Sequence, residues 1–187
     1  MGKKGKRKPE WAKETLELRP DHKWTGKPGC RVFVADRGAV RFDFPQDWLI
    51  QPAPDCIKLM DKEPPDDNFT LAVSYLRLPP RDWSGLPLSQ LVKVAIDGDT
   101  RGLLFLSEIF TVKRPDLEYA WIEGWFIDPN EKRKAFTRLA IARANLIQAL
   151  ITLDFWPEDR ERLLPAWDDL PDSLRLGHWI QDPTRGE

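Results

Sequence analysis

The strongest chemical signal in this 187-residue chain is the run LEYAWIEGWFID, in which Tyr119, Trp121, Glu123 and Trp125 recur at every second position. Residues two apart in an extended strand share a face. Trp121, Glu123 and Trp125 therefore form a strip with a carboxylate between two indoles, a composition able to hold a sugar or a cation. Glu108, Glu118 and Asp128 lie on or beside neighbouring predicted strands, and acid–base hydrolysis needs only two carboxylates held several ångströms apart. Glu123 with Glu108 or Glu118 would make a carboxylate-dependent hydrolase or a small-ligand site. The competing reading is structural: the two tryptophans pack beneath a flanking helix while Glu123 pairs with a lysine or arginine. That second reading is the one adopted, and no residue is assigned a catalytic role.

Other chemistries fail on residue count or on spacing. A transition-metal centre needs three or four converging soft or imidazole ligands. The chain has two histidines, His22 and His178, and two cysteines, Cys30 and Cys56, at separations that match no ligand pattern. Neither a metal nor a cofactor is expected. No GxGxxG, GxxxxGK[ST] or GxSxG occurs, which removes dinucleotide, P-loop and nucleophile-elbow readings. A serine or cysteine triad would have to recruit a histidine from a peripheral segment.

Charge divides the chain. Lys3, Lys4, Lys6, Arg7 and Lys8 give the first eight residues five positive charges and no negative one; without them, 24 basic residues face 30 acidic ones. A basic arm on an acidic body can make a weak, salt-sensitive contact with nucleic acid or anionic lipid, but it carries no sequence readout. The acidic body itself would repel phosphate. The longest uncharged runs, Trp83 to Val92 and Ala144 to Leu153, are ten residues, half of what a spanning helix needs. The basic start has no apolar stretch after it, unlike a secretory signal. A cytoplasmic protein with two idle thiols is the expectation.

Strand signals dominate from Arg31: VFV, then GAVRFDFP with Val40, Phe42 and Phe44 alternating, then Trp48 to Gln51, Ile57 to Met60 and FTLAVSYLRL. Leu88, Leu91, Val92, Ala95 and Ile96 then fall on one helical stripe, which Gly98 should end. LLFLSEIFTV and LEYAWIEGWFID read as an antiparallel pair about KRPD. Residues 134–155 are ambiguous: the alanine content leans to helix, yet FTRLAIARA and NLIQALITLDF also read as two strands about a turn at Arg143 to Asn145. Pro157 should open a last helix that Pro165 and Pro171 kink or divide. A short helix is expected from Pro9 through Leu16. Trp11, Trp24, Trp83 and Trp179 fall in loops or tails, where they either serve a partner or fold back over the domain.

The element order, together with Phe42, Phe44, Pro45 and Trp48 near the domain start and Phe155, Pro157, Trp167, Ser173, Leu174 and Leu176 at its end, resembles the PsbP-like fold superfamily. That group includes the extrinsic photosystem II protein, a yeast regulator of the Ran GTPase and bacterial proteins of unassigned role. The resemblance spans residues 31–176 and implies an α+β fold, an antiparallel sheet of about six or seven strands with flanking helices. It also makes residues 134–155 a hairpin, and that reading is taken over the local propensity. A basic extension over residues 1–30 and a tail over 177–187 complete the organisation. Function does not follow from fold. The expectation is a non-enzymatic binding or accessory protein whose partner is another protein.

Overall fold

The computed structural model describes residues 12–187. Eleven strands form two antiparallel sheets: β1 (Cys30–Ala35), β2 (Val40–Pro45), β3 (Leu49–Pro52), β4 (Ile57–Met60), β5 (Phe69–Arg77), β6 (Phe105–Leu106), β7 (Phe110–Arg114), β8 (Leu117–Ile127), β9 (Lys134–Ala144), β10 (Ile147–Phe155) and β11 (Arg175–Leu176). The large sheet runs β3-β4-β5-β10-β9-β8-β6, and β7 joins β8 on the same side as β6; the small one runs β1-β2-β11. Two helices, α1 (Leu88–Asp97) and α2 (Arg160–Ser173), flank the large sheet. The architecture is α+β, as expected. The first two strands leave the large sheet and form a lid with β11.

Period-two alternation decides which residue meets which layer. Leu117 and Tyr119 of β8, Ala140 and Ala142 of β9 and Ile151 and Leu153 of β10 belong to the main core, which also contains Phe42 and Phe44 of β2 and Leu163, Trp167 and Leu170 of α2. Ala120 and Ile122 of β8 and Leu139 and Ile141 of β9 turn to the opposite face and bury against Leu88, Val92 and Ile96 of α1. The helical stripe read from the sequence is thus the docking face of α1. Covered on both sides, β9 reads as an almost unbroken apolar run, as strands buried on two faces do.

Residues 134–155 form a hairpin, with Ala144 opposite Ile147. Its turn sits one residue later than the sequence indicates: Asn145 and Leu146 both adopt positive φ, 46° and 60°. Long-range pairing overrides helix propensity here, because β8 and β5 bond to the outer edges of both strands. Two other expectations fail. Residues 12–16 are not helical, and residues 1–11, where the segment would begin, lie outside the described residues. α2 continues through Pro165 and Pro171 without dividing. Each proline removes one backbone donor, but Leu163, Trp167 and Leu170 are anchored in the core, and Pro171 lies in the final turn.

Residues 19–24 and the C-terminal tail clasp one another. Arg19 N–H donates to Thr184 O (3.0 Å) and Lys23 N–H to Arg185 O (2.7 Å), while Trp24 Nε1 donates to Pro183 O at 2.7 Å. The tail then docks on the β1–β2 turn, where His178 N–H reaches Gly38 O. Gly38 is obligatory at φ 101°, because a Cβ would lie 1.8 Å from His178 O.

Leu146 is exposed, so its left-handed conformation, costing an L-residue about 1–2 kcal/mol, gains little from burial. Replacing Leu146 with Gly should stabilise the protein by about 0.5–1 kcal/mol once glycine's greater unfolded-state entropy is deducted. Urea denaturation measures this; an unchanged or lowered midpoint would contradict the assigned turn.

Candidate functional site: an ionic lock behind an open sheet edge

Trp121, Glu123 and Trp125 do share one face of β8, and α2 covers the Trp121 and Glu123 part of the strip. Glu123 Oε2 accepts from Arg138 Nε at 2.7 Å, and Oε1 accepts from Arg160 Nη1 at 3.0 Å. The Glu123 side chain is 12% exposed and that of Arg138 5%. Arg138 lies opposite Glu123 on β9, and Arg160 opens α2. The pairing therefore joins the sheet to the first turn of the helix.

Space for a buried guanidinium comes from small neighbours. Ala140 and Ala142 follow Arg138 on its face of β9 and are fully buried. Across them Arg138 stacks on Trp121, 4.7 Å from Cζ to the ring centroid, and on Trp167 at 5.7 Å. Trp121 and Trp167 meet edge to face at 6.0 Å. Aromatic faces on either side favour the cation electrostatically. Arg138 Nη1 also approaches Asp168, 3.7 Å away at the helix surface.

The other carboxylates do not converge on this point. Glu118 has the opposite parity on β8 and pairs with Arg143 across the α1 face, Nε to Oε2 at 3.2 Å. Glu108 is exposed in the break between β6 and β7. Asp128 caps a turn through the N–H groups of Asn130 and Glu131, each at 2.8 Å. With both its oxygens committed to arginines and its expected partners elsewhere, Glu123 has the geometry of a structural ion pair. Among the described residues no group of His, Cys, Asp and Glu side chains could hold a metal ion. Cys30 and Cys56 are free and half-buried.

Outside the strip the surface changes character. Phe110 stacks on Trp121 with ring centroids 4.5 Å apart, and Phe105 lies opposite Trp125 on β8. Leu104, Phe105, Leu106, Phe110, Val112 and Ile127 are all exposed there, six of the fourteen exposed large hydrophobic residues among those described. Lys134 Nζ sits 4.5 Å above the Trp125 ring, so a cation already occupies the face of that indole. The sequence reading singles out the strip but neither its arginines nor this edge. Arg138 was signalled by an arginine inside the apolar run FTRLAIARA. Nothing local marks LLFLSEIFTV as an edge, because edge position is a property of topology.

Of the remaining tryptophans, Trp24 is folded back between Arg41 and the tail. Trp83 bonds its own loop, Nε1 to Pro79 O at 3.1 Å. Trp179 is 66% exposed. Trp11 and the basic residues Lys3, Lys4, Lys6, Arg7 and Lys8 lie outside the described residues.

Residues 31–180 match the Alr1449 family, to which the chain belongs. It is 43% identical over 187 residues to the uncharacterised protein alr1449 of a Nostoc species, spanning all of this chain and 97% of that one. Three solved structures share the fold at low identity. The cyanobacterial PsbP protein of Synechocystis has a TM-score of 0.57 at 11% identity, covering 81% of this chain and 94% of its own. The Saccharomyces cerevisiae Ran-binding protein Mog1p has 0.54 at 8%, covering 79% and 95%. LpqN of Mycobacterium tuberculosis, involved in cell envelope biogenesis, has 0.53 at 11%, covering 78% and 89%. The PsbP-like fold is thereby shown. No helix among the described residues is long and apolar enough to cross a membrane.

Removing one partner of a buried ion pair leaves an uncompensated charge, a loss of about 3–5 kcal/mol. Glu123→Gln should therefore cost several kilocalories in chemical denaturation, whereas Asp97→Asn, at the exposed Lys93–Asp97 pair of α1, should stay within about 1 kcal/mol. Equal effects from the two substitutions would show that Glu123 is not locked.

Proposed function

We propose that this protein is a non-enzymatic accessory protein that binds a protein partner at the open edge formed by β6 and β7. The observation that carries the reading is the grouping of six exposed apolar side chains along that one edge, Leu104, Phe105, Leu106, Phe110, Val112 and Ile127. Contiguous exposed apolar surface marks interaction sites, while singly scattered residues need no explanation. The committed oxygens of Glu123 support a binding role over hydrolysis, because a general acid or base must reach a substrate proton. The shared fold of a Ran-binding protein adds an analogy at fold level only. The free Cys30 and Cys56 suit a reducing compartment, and the proposed setting is the cytoplasm.

Affinity capture from native extract tests this, comparing the full-length protein with a Phe105→Lys/Val112→Lys variant at low and high salt. Both positions are exposed, so the variant should fold normally. The expected result is a protein partner held by the wild type at high salt and lost by the variant. A partner kept by the variant contradicts the edge reading, and capture that disappears with salt and with deletion of residues 1–8 assigns binding to the basic arm instead.

A further inference from the structure

The other sheet edges are short or guarded. β3 has four residues and ends in Pro52, and proline blunts an edge by removing a donor. β11 has two residues. Residues of the N-terminal arm, Leu16 and Leu18 among them, share a cavity with Val32 and Val34 of β1. The outer side of β7 has no strand partner among the described residues, and Phe110 to Lys113 are all exposed. Phe110, Thr111 and Val112 are aromatic or β-branched, the residue types that suit pairing.

Cross-strand rows show what would suit the free side. On the α2 face, Phe110 lies opposite Trp121 and Val112 opposite Tyr119; both rows are apolar. On the α1 face, Lys113 lies opposite Glu118 and Glu118 opposite Arg143, so charge alternates across the sheet. Lys113 has no ion pair among the described residues, and the row ends on this cation. The next member of an alternating row is a carboxylate, since opposite charges directly across a ladder stabilise and like charges destabilise.

We infer that the outer edge of β7 accepts an extended segment of another protein as an added antiparallel strand, with an acidic residue opposite Lys113 and apolar residues opposite Val112 and Phe110. In the partner's chain direction this is acidic, apolar, any small or β-branched residue, apolar. β8 already presents that order to the inner side of the same strand, as Glu118, Tyr119, Ala120 and Trp121. Main-chain hydrogen bonds would supply affinity and the alternating side chains selectivity. A second copy of this chain fits less well. Antiparallel self-pairing that keeps Phe110 and Val112 on one face puts Ile109, Thr111 or Lys113 opposite Lys113, never a carboxylate.

The inference rests on the edge reading of the function and is tested separately from it. The probe is an acetylated peptide with the sequence of residues 117–122, Leu-Glu-Tyr-Ala-Trp-Ile, and a second peptide with Lys in place of Glu. Both are titrated into the full-length protein and into Lys113→Glu, following backbone amide shifts by NMR. The wild type should bind the acidic peptide with shifts centred on residues 110–113. Lys113→Glu should weaken that binding about fivefold and reverse the preference between the peptides. Absence of shifts at 110–113, or indifference of both proteins to the peptide charge, overturns the inference. So does concentration-dependent self-association that buries β7, read by sedimentation. If the Phe105→Lys/Val112→Lys variant loses a captured partner while neither peptide binds, the edge remains the binding surface and the acidic added strand is rejected.

Discussion

A carboxylate held by two arginines at the sheet–helix junction fixes the arrangement of everything around it. The Glu123 side chain is almost wholly covered, and that of Arg138 is buried more deeply still. Each makes the other tolerable, and Arg160 makes the pairing depend on where α2 begins. Burying such a group is expensive in itself, and its bonds join the first turn of α2 to β8 and β9, with the Trp167 ring 5.7 Å from the Arg138 guanidinium carbon. The alanines of β9 are the counterpart of that choice, since a larger side chain at Ala140 or Ala142 would occupy the space that the arginine and the indole share.

This lock also turns a would-be binding strip into a wall. An indole, a carboxylate and a second indole on one strand could receive a ligand if the face were open, but here the face is filled. What stays exposed is the side of the strip, where β8 is flanked only by two short strands. Ser107 breaks them apart while still serving β8: its N–H donates to Glu123 O at 2.8 Å, and Glu123 N–H donates to its hydroxyl at 3.0 Å. The backbone of β8 is therefore satisfied through the break, and the unsatisfied edge passes outward to β7. Local hydrogen-bond accounting and surface hydrophobicity lead to the same place.

Legibility in the sequence followed the range of the interactions concerned. Alternation is local, so the shared face of Trp121, Glu123 and Trp125, the stripe of α1 and the inward residues of β2 could all be read from spacing. Register is long-range, so the pairing of Glu123 with Arg138, fifteen residues away, was not. The 134–155 hairpin shows the same limit: its alanines favour helix, its turn lacks the glycine that usually announces two left-handed residues, and the resemblance to a known fold was needed to choose. Residues 12–16, the described part of the helix expected from Pro9, are not helical and instead line a cavity with Val32 and Val34 of β1. Proline in α2 failed as a helix breaker because three buried anchors outweigh a missing donor.

The central claim is that the sheet edge, and not the tryptophan–glutamate strip or the clasped termini, receives the partner. Amide hydrogen exchange on the full-length protein, alone and in the complex recovered by capture, tests it most directly. The account predicts new protection confined to residues 105–113, with the amides of Trp121 to Trp125 already slow in the free protein. Protection appearing instead across α2, or along residues 19–24 and 182–187, would contradict it.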